Sequence, residues 1–150
     1  MLNSQNRESI VSPDDGGTPV STIRNVSSAG IAQTLTREQQ ADMTLASMLL
    51  DEFRNVRKDM PINHAFCFLM VAQEEGLTVS QYAERAGCGQ TVMTRWLFDI
   101  GSHSRTREPG LGLVTQRSDP NDLRKHQTFL TQKGKELAFA VMRVLKLRRA

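Results

Sequence analysis

No apolar run in this chain approaches the roughly 18 residues needed to cross a bilayer; the longest are short pieces such as 65–71. A membrane-spanning helix is therefore not expected. Cysteine is scarce, with Cys67 and Cys88 alone, too few for a disulfide framework. Both lie in segments that read as buried and are taken as reduced, packed thiols, the alternative for Cys88 being a redox sensor. The histidines His64, His103 and His126 lie far apart, with no cysteine or carboxylate at metal-ligand spacing. Neither a phosphate-cradling glycine loop nor a Gly-x-Ser-x-Gly elbow occurs. Metal and nucleophilic catalysis thus lack a motif, no cofactor is expected, and the chain reads as a non-enzyme. Its first residues have neither the basic start nor the apolar run of a secretory signal, which points to the cytoplasm.

What the chain does contain is one ordinary core and an uneven charge. Its 150 residues are 39% hydrophobic and 23% charged, values typical of a single soluble domain. Lys and Arg stand against Asp and Glu as 2 to 3 in residues 1–34, 6 to 9 in residues 35–100, and 11 to 4 in residues 101–150. A basic last third on a mildly acidic body is what a protein offering one surface to a polyanion requires. The alternative is a solvated basic tail.

Residues 1–34 are rich in serine, include the turn-forming Pro13-Asp14-Asp15-Gly16-Gly17, and show no useful apolar period. Such a segment buries too little to offset its ordering entropy and is read as a flexible arm. From residue 35 the texture changes. Thr36 can cap a helix with Glu38 and Gln39 in its first turn, and apolar residues recur from Met43 to Val56 at helical spacing. A second helix runs from Pro61 and Ile62 until Gly76 stops it, and its apolar character on most faces makes it central.

Residues 78–87 predict a short helix capped by Thr78 or Ser80, and residues 90–100 a further one, separated by Cys88 and Gly89. Two helices across a tight glycine turn form a helix-turn-helix. Ala83 supplies the small residue where they approach and Gly87 the flexible one. Tyr82, Ala86, Cys88, Met93 and Trp96 supply apolar groups for the junction.

In the second of these helices Val92, Met93, Trp96, Leu97 and Ile100 make an apolar stripe, leaving Gln90, Thr91, Thr94 and Arg95 for the other face. That face suits a major groove. Arginine bridges O6 and N7 of guanine, glutamine pairs with adenine, and threonine meets a phosphate or a thymine methyl. Arg95 is the first candidate for base reading and Gln90 the second; the alternative is an ordinary solvated face. Phe98 falls near this polar side without an evident role.

Beyond a polar, basic loop at 102–110, residues 111–116 and 126–130 read as strands. The turn-rich Ser118-Asp119-Pro120-Asn121-Asp122 between them predicts a hairpin with a long polar tip. Thr131 then caps a last helix with Leu137, Ala138, Val141, Val144 and Leu145 at helical spacing. The expected class is mainly α with a small β-hairpin, a winged helix-turn-helix over residues 35–150.

The hairpin carries the most specific signal. Asp122-Leu123-Arg124, followed by Leu130-Thr131-Gln132-Lys133-Gly134, resembles the wing of the multiple-antibiotic-resistance regulator (MarR) family, whose motif runs Asp-x-Arg and then Leu-Thr-x-x-Gly. The resemblance covers roughly residues 62–134. It implies that Asp122 braces the wing by pairing with arginine and that Arg124 reaches the DNA minor groove, where a narrow A·T-rich groove favours an inserted guanidinium. Arg117, Lys125 and His126 flank the tip and are placed to touch phosphates. The plainer alternative is an exposed Asp122–Arg124 ion pair in a turn.

The resemblance implies a transcriptional regulator that binds double-stranded DNA as a homodimer, with a small-molecule effector left open; the surplus apolar faces of residues 35–56 and 137–147 read as the dimer surface, the alternative being that they close a monomeric core. Two departures concern dimer geometry. The loop 102–110 is longer than the family's usual step, with His103, Arg105 and Arg107 as a phosphate clamp or a solvated insertion. Only one evident helix follows the wing. Rival readings are a winged helix used for protein interaction or assembly, and a replication or partition factor.

Overall fold

The computed structural model describes residues 34–102 and 109–150. The flexible arm expected over 1–34 falls, but for Thr34, outside the described residues, as do His103, Arg105 and Arg107 of the expected clamp. In chain order the elements are α1 (Arg37–Val56), α2 (Ile62–Gln73), α3 (Val79–Ala86), α4 (Gln90–Ile100), β1 (Val114–Asp119), β2 (Asp122–Leu130) and α5 (Gln132–Leu147). No helix among the described residues is long and apolar enough to cross a membrane.

Local chemistry sets the helix ends. Thr36 and Gln39 form a reciprocal capping box at the start of α1, and Thr78 and Gln81 repeat it at α3. Gly87 ends α3 in the left-handed region at φ 64°, which lets the chain turn sharply into α4. The second helix stops earlier than expected: its C-cap is Glu74, and Gly76 lies in the turn beyond.

Helix α2 is central, packing on α4, while α3 packs on α4 and α1 lies along α5. Phe68 and Val71 of α2 meet Tyr82, Met93, Leu97, Ile100 and Leu113 in one buried cluster. Phe53 of α1 closes it edge-on against Phe68, ring centroids 5.7 Å apart. Tyr82 is wholly buried, and its hydroxyl donates to the Glu74 carbonyl at 2.6 Å. Cys67 donates to the Met93 thioether at 3.6 Å, and burial, with Cys88 nearby, pushes its thiol up to about 12. Cys88 is only half-buried, contrary to the buried setting expected for it; both cysteines are free.

The hairpin corrects the sequence reading. Rather than a long tip, a two-residue turn, Pro120-Asn121, joins strands that pair up to Asp119↔Asp122. The second strand begins at Asp122 rather than near His126, and the first at Val114 rather than near residue 111. Cross-strand pairing has overridden the turn preferences of Ser118, Asp119 and Asp122, as it does where a partner strand is in reach. The ladder is irregular at one place. Between Ser118↔His126 and Asp119↔Asp122, β1 advances by one residue and β2 by four. Leu123, Arg124 and Lys125 are thus left without cross-strand partners, in a bulge beside the turn.

Candidate nucleic-acid interface

The wing is docked onto the helix-turn-helix by main-chain hydrogen bonds. Gly76 N–H donates to the Thr128 carbonyl at 2.8 Å, and Thr128 N–H donates to the Leu77 carbonyl at 3.1 Å. Thr78 and Gln127 form an antiparallel bridge, and the Glu75 carboxylate accepts from Leu130 N–H at 2.6 Å. The segment entering α3 therefore acts as a short third strand beside β2, which fixes the hairpin relative to α3 and α4.

That docking creates an open cleft of about 370 Å³ lined by Thr78, Val79 and Ser80 of the α3 start, Gln90 of the α4 start, and Arg124, Lys125 and His126 of β2. Two cations and an imidazole thus face the first residue of α4, and no carboxylate is among the described lining residues. Such a surface attracts a polyanion and concentrates its field in a concave site. Thr78 and Ser80 stand out in the sequence only as helix caps. Nothing local to them signals that a wing far along the chain lies across from them.

Along α4, Gln90, Thr91 and Arg95 are exposed and Thr94 is half-buried. The Thr94 hydroxyl donates to the Gln90 carbonyl at 2.7 Å, so its hydrogen is committed to the helix and an acceptor lone pair remains. Met93, Leu97 and Ile100 are buried as read, but Val92 is 39% exposed and belongs to the outer face rather than to the stripe. A periodic pattern places Val92 at the stripe's margin, and only the position of the packed neighbours decides which margin is covered. Phe98 is 47% exposed on the same outer side as Thr91 and Arg95.

At the wing, carboxylates hold the backbone. Asp119 Oδ1 accepts from Asn121 N–H at 2.8 Å and Asp122 Oδ1 accepts from Arg124 N–H at 3.1 Å. The brace from Asp122 thus runs to the main chain of Arg124, and the Arg124 side chain borders the cleft instead. Arg117 lies lower on β1, opposite Gln127, with its guanidinium 5.3 Å from the centre of the Phe129 ring. It is outside the cleft lining.

Behind α4, the buried His64 of α2 sets Nε2 3.3 Å from Asp99 Oδ2 in the last turn of α4. Burial holds the imidazole below its ordinary value of 6.5, Asp99 opposing that shift and Arg57 reinforcing it. Among the described residues, no three of His, Cys, Asp and Glu converge as metal ligands.

No protein-family model matches the sequence, and no curated protein sequence matches it. Solved structures do resemble the fold. A MarR transcriptional regulator from Methanosarcina mazei superimposes with a TM-score of 0.52 at 15% identity, covering 71% of this chain and 73% of its own. The Staphylococcus aureus MepR–DNA complex gives 0.55 at 17% identity, covering 73% and 80%. Streptococcus pneumoniae FabT in complex with DNA gives 0.53 at 19%, covering 74% of each chain. The fold is the MarR-like winged helix, five helices and a two-stranded antiparallel hairpin among the described residues.

Proposed function

We propose that this chain is a sequence-specific double-stranded-DNA-binding transcriptional regulator of MarR-like type. Helix α4 enters the major groove, where Gln90, Thr91 and Arg95 meet base edges and Thr94 a phosphate or a thymine methyl. The wing lies along the adjacent minor groove, with Arg124 inserted and Lys125, His126 and Arg117 on phosphates. Regulation follows from occupancy of the site. One observation carries this reading: the start of α4 and the cations of β2 border one cleft, so both elements address the same side of the molecule. Two structures of similar fold, MepR and FabT, hold DNA.

A dimer completes the proposal. Leu50 of α1 and Phe139, Met142, Leu145 and Leu147 of α5 are exposed apolar residues on neighbouring helices. Between them a groove of about 380 Å³ is lined by Leu49, Leu69, Val141, Met142 and Leu145 among others, with Gln73 its one polar member among the described residues. Exposed apolar side chains grouped on two adjoining helices suit an interface, and a twofold pair would set two copies of α4 about one helical turn of DNA apart, roughly 34–36 Å.

Selection of bound fragments from a random duplex pool at physiological salt tests the reading. A recovered pseudo-palindrome is the expected result. An unenriched pool overturns it and favours a protein-interaction module.

A further inference from the structure

The most exposed large apolar side chain among the described residues is not on the α1 or α5 face but at the wing: Leu123 is 76% exposed. Single exposed leucines are common on protein surfaces, so exposure alone carries nothing. Three further observations distinguish this one. Leu123 lies in the bulge where β2 runs three residues ahead of β1, a device that re-aims side chains away from the ladder. The bulge is held by the Asp122 carboxylate on Arg124 N–H, and the turn before it by the Asp119 carboxylate on Asn121 N–H. Its other two members are the cations Arg124 and Lys125, which border the cleft, whereas Leu123 does not.

A fixed, water-exposed branched alkyl group beside two cations suits one class of surface closely. The minor groove presents a negative potential at its floor and apolar deoxyribose walls at its sides. An alkyl group there excludes water from the walls or wedges at a base step, opening it and bending the duplex, while Arg124 enters the groove and Lys125 neutralises a phosphate. Steps that unstack most readily are pyrimidine–purine steps. We infer that Leu123 is a minor-groove wedge, a specificity-determining residue by which the wing selects duplexes carrying a flexible pyrimidine–purine step where it lands. This rests on the DNA-binding reading above and adds shape readout to the base contacts of α4.

The probe is the top-ranked duplex recovered from the random pool by the wild-type full chain, labelled at its ends for energy transfer. Leu123→Ala is expected to bind about tenfold more weakly, the effect of withdrawing most of a partly buried leucine side chain from apolar contact. It leaves the slope of log affinity against log salt unchanged, because no charge is lost, whereas Lys125→Ala lowers that slope by about one. End-to-end distance in the complex lengthens for Leu123→Ala, and Leu123→Met stays within about twofold of wild type. Replacing the pyrimidine–purine step under the wing by a purine–purine step of the same A·T content weakens wild type to the level of Leu123→Ala and leaves that variant indifferent. Since Leu123 is exposed, thermal midpoints of the variants match wild type, separating loss of contact from loss of fold. Leu123→Ala binding and bending the duplex as wild type does would overturn the wedge while the regulator reading stands. A pool that yields no duplex overturns both.

Discussion

Gly134, in the first turn of α5, sits against the Leu113 carbonyl so closely that a Cβ on the glycine would collide with it. Thr131 completes the joint: its hydroxyl donates to the Gly112 carbonyl at 2.6 Å and accepts from Gly134 N–H at 3.1 Å. The Leu-Thr-x-x-Gly stretch at 130–134 therefore seats α5 on the chain entering β1. The wing and the helix α5 that follows it are positioned by the same few atoms.

Gly134→Ala is expected to destabilise the fold by roughly 1–3 kcal/mol, because the obstacle is backbone and neither partner moves freely. Urea unfolding followed by circular dichroism measures it. A midpoint equal to wild type would mean that α5 shifts without cost.

Acidification should weaken the fold through His64. Its folded-state pKa is depressed below 6.5 by burial, so the unfolded chain binds the proton more readily. The contribution is fully present above the unfolded value of about 6.5 and is lost as pH falls through the lower folded value. His64→Gln should show a flatter dependence of urea midpoint on pH between about 5 and 7 than wild type does. Parallel curves for the two proteins would contradict this.

Base reading and phosphate contact separate by substitution. Arg95→Ala should reduce discrimination at one base position by about 1–3 kcal/mol, whereas Lys125→Ala should weaken binding to all duplexes alike and lower the salt slope by about one. Competition binding with single-position variants of the selected duplex reads both. Equal losses on selected and random DNA for Arg95→Ala would remove it from base recognition.

A charge on the α5 face should separate the protomers. Met142→Glu and Leu145→Arg each place a charge on the exposed apolar groove, where burial in an interface would leave it unpaired. Sedimentation is expected to give twice the chain mass for wild type and the chain mass for the variants. A monomeric wild type would end the dimer proposal.

Much of the helical framework was legible because its signals are local. Thr36 with Gln39 and Thr78 with Gln81 announce helix starts at fixed spacing, and Gly87 marks a left-handed stop. The bounds of α4 agree with the sequence reading for the same reason. The hairpin was legible in place but not in form. Asp119, Pro120, Asn121 and Asp122 favour turns, yet two of them pair across the ladder, and nothing local distinguishes that outcome. Val92 was misplaced because a helical wheel states which residues share a side without stating how wide the covering neighbour is.

By itself the sequence determined where most helices begin, the main run of their apolar sides, and that cationic residues gather in the last third. These follow from contacts between residues a few positions apart and from composition. Only the tertiary structure decided that Gln90 and Arg124 border one cleft, that Leu123 projects from a bulge, and that His64 is shut in against Asp99. Each depends on pairings between segments far apart in the chain, made where β2 docks on 76–78 and α2 packs on α4, and no local preference of the residues involved specifies such partners.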